Sequence, residues 1–89
     1  MTEQEKSIIK YIVICINEFA KQCKLTSKDA YLYLKKYKGI EFLKECYEAE
    51  HTVSLNDVIE DLKQVCRRNG GNIKWHYITA QMWKLLISI

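Results

Sequence analysis

The sequence predicts an all-α fold, a small bundle of four to five helices around a hydrophobic first helix. Apolar residues recur at steps of three and four along most of the chain, which is the helical period. Residues that cap helices precede these runs, and glycines follow two of them. Hydrophobic content is 48% with no proline, so neither disorder nor a proline-rich linker is indicated.

The first helix is the one the others are expected to pack on. Thr2 and Glu5 have the spacing of a capping box, in which each side chain bonds the other's backbone N–H. Ile8, Ile12, Ile16, Phe19 and Cys23 then share one face, with Ile9, Val13, Ile16 and Ala20 beside it. Tyr11 to Ile16 is rich in β-branched residues and reads locally as a strand, but the cap and the spacing on either side favour a helix to about Lys24. Apolar character runs almost all round this helix, which predicts neighbours on several sides.

Ser27 or Thr26 caps a second helix to Tyr37, with Ala30, Leu34 and Tyr37 on one face and Tyr31 beside it. Lys38-Gly39 is expected to end it, glycine taking the left-handed cap. A third helix over residues 40–49 has Ile40, Leu43, Cys46 and Tyr47 inward and Glu41, Lys44, Glu45 and Glu48 toward water. Residues 50–53 break the pattern, and Ser54 with Asp57 caps a fourth helix whose stripe is Leu55, Val58, Ile59, Leu62, Val65 and Cys66. Arg67 and Arg68 suit its negative carboxyl end, and Asn69-Gly70-Gly71 stops it. The last segment, residues 72–89, mixes helical and strand spacing, and a helix is expected from about Thr79.

At 89 residues the chain forms one domain over 1–89, near the size at which a core is only marginally stabilising, so a partner or a dimer interface could supply the rest. The net charge of +3 is small, but its distribution is not even. Six lysines fall between Lys21 and Lys38 against one acid, and seven acids fall between Glu41 and Asp61 against one lysine. Solvated helix faces account for such blocks, and a nucleic-acid-binding regulator using Lys21–Lys38 is kept as an alternative. A helix-turn-helix reading of residues 27–49 is disfavoured, because its recognition helix would bring Glu41, Glu45 and Glu48 to the phosphates.

Cys15, Cys23, Cys46 and Cys66 include no C-x-x-C pair and no histidine at ligand spacing, so no metal site and no cofactor are predicted. They read as small buried hydrophobes. The acidic start lacks a signal peptide's basic region, and Lys10 and Glu18 interrupt the apolar run far short of a membrane span. A cytoplasmic protein with reduced thiols is therefore expected. His51 and Thr52 form a candidate binding or structural corner between two helices. An orphan enzyme centred on His51 is the third alternative, but no glycine-rich elbow or oxyanion element accompanies it. Catalytic residues are expected to be none, and no small-molecule substrate is identifiable.

Taken in order, Tyr11-Ile12-Val13-Ile14-Cys15-Ile16, Leu25-Thr26, Tyr37-Lys38-Gly39-Ile40, Glu50-His51-Thr52 and Asn69-Gly70-Gly71 give residues 8–71 a recognisable pattern. It resembles a family of short bacterial proteins catalogued as domain of unknown function 3791. The resemblance brings no catalytic residue with it. Its members can be encoded beside other small proteins, some toxin-like, which implies a partner-binding role. Residues 72–89 depart from that pattern as an apolar extension.

The leading expectation is thus a non-enzymatic interaction module, an accessory or neutralising partner of a neighbouring gene product. In the extension, Trp83 and Ile87 fall off the face set by Ile78, Met82, Leu85 and Ile89, so one helix stripe cannot hide them. Trp75, Trp83 and Ile87 are the candidate interaction residues. A protein partner or homodimer is expected through Trp83. Nucleic acid and membrane are disfavoured, the latter because Lys74 and Lys84 make a thin cationic face.

Overall fold

The computed structural model describes residues 1–71, which form five helices and, among these residues, no strand. They are α1 (Glu3–Cys23), α2 (Ser27–Lys36), α3 (Gly39–Glu45), α4 (Tyr47–Glu50) and α5 (Leu55–Arg68). The all-α bundle is the one expected. The expectations for residues 72–89, including the contacts through Trp75, Trp83 and Ile87, lie outside the described residues.

Each long helix starts where a hydroxyl replaces the missing acceptor of the first turn. Thr2 is extended, its Oγ1 accepts the Glu5 N–H at 3.1 Å, and the Glu5 carboxylate accepts the Thr2 N–H at 3.3 Å, which completes the capping box. Thr26, rather than Ser27, caps α2 by accepting from the Asp29 N–H, and Ser54 caps α5 by accepting from the Asp57 N–H. At the far end of α5, Gly70 turns left-handed at φ 96°, so that the Gly71 N–H reaches back to the Cys66 carbonyl at 2.8 Å. Gly71 must also be small, since a Cβ there would stand 2.7 Å from the Tyr33 hydroxyl.

The core is assembled from all the helices except α4. Phe19 of α1, Leu34 of α2, Leu43 of α3, and Val58, Ile59 and Leu62 of α5 are fully buried, with Cys15 and Cys66 filling between them. Phe19 stacks on Tyr33 with ring centres 5.9 Å apart, and Tyr33 meets Tyr37 at 4.8 Å. Polar ties hold α1 to its neighbours at the rim. Gln22 donates to Asn56 of α5 at 3.0 Å, Ser27 of α2 donates to Asn17 at 2.8 Å, and Gln4 donates to Glu48 of α4 at 3.2 Å.

Four expectations need correction. First, Gly39 does not take the left-handed turn between α2 and α3. Lys38 does, at φ 71°, and Gly39 is the buried first residue of α3, a position that favours glycine because a Cβ would stand 2.8 Å from Leu34 Cδ2. Second, the helix expected over 40–49 bends at Cys46, whose carbonyl accepts from both Ala49 and Glu50. The bend sets Tyr47 edge-on to Tyr11, centres 5.4 Å apart and planes at 71°. Third, the buried tyrosine of α2 is Tyr33, while Tyr37 is half-buried and Tyr31 exposed. Fourth, α1 is not covered all round. Among the described residues its neighbours α2, α3 and α5 bury Ile12, Cys15, Phe19 and Ala20, while Ile9, Val13 and Ile14 stay about half-exposed.

Candidate functional site

The uncovered side of α1 is the most unusual surface among the described residues. With 3.6 residues per turn, Val13 and Ile14 follow buried Ile12 by about 100° and about 200° round the axis. They therefore point away from the core. Val13 is 49% exposed, Ile14 54% and Ile9 48%, and Lys10 and Asn17 are exposed among them. Scattered surface aliphatics are ordinary, but here three large ones fall within two turns of the central helix, Val13 and Ile14 turned away from the core and Ile9 at its border, about 60° from Ile12. Leu32 of α2 and Val53, just before α5, are also exposed. Along α1 the charges are ordered, with Glu3 and Glu5 in the first turn, Lys21 in the last and Lys24 just beyond.

The corner at the end of α4 holds the two residues singled out there by the sequence. His51 ends the helix, with Nδ1 2.6 Å from the Tyr47 carbonyl oxygen and the ring stacked on Tyr47, centres 4.5 Å apart and planes at 14°. The Thr52 hydroxyl donates to the Ala49 carbonyl at 2.7 Å. Both side chains thus add a second hydrogen bond to carbonyls of the last turn that already accept a backbone N–H, although both residues are exposed.

Behind this corner lies a polar cluster that sequence reading missed. The Tyr11 hydroxyl and Oε2 of Glu50 are buried, and among the described residues they have no partner in hydrogen-bond geometry beyond the Cys15 thiol beside Tyr11 and the Asp61 carboxyl beside Glu50. Burial raises the Tyr11 pKa above the ordinary phenol value, with the neighbouring Cys15 adding to the effect. Glu50 is pushed up to about 7, first by burial and then by the hydrogen bond and charge of Asp61 and the charge of Asp57. Because both partners are carboxyl groups, that hydrogen bond exists only when the pair holds a proton. The one trace of this in the sequence is the placing of Asp57 and Asp61 four residues apart, on one face of α5.

The cysteines divide by depth. Cys15 and Cys66 are buried, while Cys23 and Cys46 are half-buried, so the expectation of four buried cysteines holds for two of them. All four are free thiols. Burial raises the pKa of Cys15, Cys23 and Cys66, the last to about 11, and a thiol kept protonated at neutral pH is a poor nucleophile. Among the described residues no group of three or more His, Cys, Asp or Glu side chains could hold a metal ion, and no helix is long and apolar enough to cross a membrane. The lysine block is spread over exposed positions. Lys35 and Lys36 lie over the rings of Tyr31 and Tyr37, and Lys38 pairs with Glu41 at 3.6 Å.

Among the described residues, fold and surface together define a small all-α bundle with an exposed aliphatic face on its central helix. The chain belongs to the family described as Protein of unknown function (DUF3791), whose model matches residues 10–69. Val13, Ile14 and the His51 corner fall within that span, Ile9 just precedes it, and residues 72–89 lie beyond it. No curated protein and no solved structure matches the chain.

Proposed function

We propose that this protein is a non-enzymatic interaction module that binds another protein through the outward face of α1. The observation that carries the reading is the exposure of Ile9, Val13 and Ile14 within two turns of the helix that the core is built on. A large aliphatic side chain left wholly in water forgoes about 1.5–3 kcal/mol of burial, and these half-exposed ones forgo roughly half of that each. Three of them in one place favour association with an apolar surface on a partner. The chemistry of the remaining groups agrees. The histidine of the corner is occupied with a helix carbonyl, and three of the four thiols are held protonated by burial.

The reading is tested with the full chain carrying Val13→Asp and Ile14→Asp together. Both positions face solvent, so the thermal midpoint and helical circular dichroism are expected to stay close to those of the parent. Complexes recovered with the tagged parent from its host, whether with itself or another protein, are expected to disappear with the variant. A parent that forms no complex, or a variant that keeps it, would sink the proposal. The regulator alternative would instead show salt-dependent retention on DNA, lost on replacing Lys28, Lys35 and Lys36.

A further inference from the structure

The face itself points to its partner, a step that rests on the interaction reading above. We infer that the outward face of α1 binds a second copy of this chain, the two α1 helices packing antiparallel across Ile9, Val13 and Ile14. Val13 is the middle residue of Glu3–Cys23. A two-fold axis passing near Val13 lays the patch on itself, as an isologous dimer contact requires, because each copy then offers the other the same surface.

Charge fixes the direction. Glu3 and Lys21 are 18 positions apart, which at 3.6 residues per turn is five full turns, so the two lie along one line of the helix. Reversing that line in the second copy sets Glu3 of each chain near Lys21 of the other, with Lys24 close behind. A parallel pairing would set acid against acid and lysine against lysine. The macrodipoles add to the same preference, since antiparallel helices place each positive end beside a negative one. Glu3 already meets Lys6 of its own helix at 3.3 Å, but with its side chain 91% exposed this contact is weak enough to exchange. Lys10 lies between Val13 and Ile14 on the helix surface, where its stem can cover them while the ammonium reaches water.

Three half-exposed aliphatic side chains per copy make a small contact beside the roughly 800 Å² per partner of standard interfaces. The dimer is therefore expected to be reversible, with a micromolar dissociation constant. The other candidates for this face, residues 72–89 of the same chain or an unrelated protein, are outcomes of the test.

Sedimentation equilibrium of the purified full chain over a micromolar concentration series is the primary measurement. The parent is expected to show a monomer–dimer equilibrium, and Val13→Asp to weaken it by about tenfold or more. Glu3→Lys alone and Lys21→Glu alone are each expected to weaken it by roughly threefold to tenfold, and the two together to restore it to within about twofold. Circular dichroism checks that each variant is folded. A photo-crosslinking residue replacing Ile14 is expected to join α1 of one copy to α1 of the other. A parent that stays monomeric, a double charge variant no better than the single ones, or a crosslink from position 14 to residues 72–89 of the same chain overturns the inference. A monomeric parent whose complex with a host protein is still abolished by Val13→Asp and Ile14→Asp sinks the second copy and leaves the interaction reading standing. Loss of both sinks both.

Discussion

Two lysines hold backbone conformations that side chains with a Cβ avoid. Lys24 has φ 57° and ψ 43°, and it lets the Leu25 N–H reach the Ala20 carbonyl at 2.8 Å, closing the end of α1. A left-handed residue other than glycine costs about 1–2 kcal/mol, and part of that returns as extra freedom of glycine in the unfolded chain. Lys24→Gly is therefore expected to stabilise the fold by about 0.5–1 kcal/mol, seen as a higher urea midpoint with unchanged slope. Glu50 gives the second prediction. Its folded pKa of about 7 lies above the ordinary 4.5, so the folded state holds the proton more tightly than the unfolded chain. The stability tied to that proton is complete below about 4.5 and is lost as pH rises through 7. Glu50→Gln should thus be more stable than the parent at pH values above 7, with the difference shrinking toward acid. Equal thermal midpoint differences on both sides of this range would show that Glu50 is not held as described.

Helix ends were legible and helix interiors less so. The capping positions follow from local chemistry, because the acceptor and the amide it serves are three residues apart in the chain. Ser54→Ala is expected to cost about 1 kcal/mol, since the amide of Asp57 loses its acceptor, and Ser54→Asp to cost much less. Thermal unfolding of the three proteins side by side measures both values. The bend at Cys46 had no such signal. The spacing of Ile40, Leu43, Cys46 and Tyr47 continues through it unbroken, and the contact it serves, Tyr47 on Tyr11, joins residues 36 positions apart. The Lys38-Gly39 turn misleads for a related reason. Glycine in the sequence signals a left-handed turn, but here its smallness lets α3 begin against Leu34, and the adjacent lysine carries the turn.

In the assembled bundle, Phe19 is where α1 and α2 share a side chain. It is fully buried and stacks on Tyr33. Phe19→Ala is expected to cost about 3–5 kcal/mol, a large part of the stability of a domain this small. The expected result is a broad or absent thermal transition, and a loss below about 1 kcal/mol would mean that the site collapses without harm. Such a core leaves little margin, which is the setting in which a weak interface on α1 matters to the folded population.

The amino-acid sequence alone determined the helical class, the capped starts of α1, α2 and α5, the glycine stop after Arg68 and the core stripes. Each depends on residues within about one turn of one another, where periodicity and capping chemistry act. Tertiary structure decided which side of α1 is covered, which tyrosine of α2 is buried, and that burial near Asp61 and Asp57 raises the Glu50 pKa at the corner beside Tyr11. An all-round apolar helix states only that burial would be favourable in every direction. Which direction is filled depends on where α2, α3 and α5 can pack, and Ile9, Val13 and Ile14 are the side chains that this packing leaves in water.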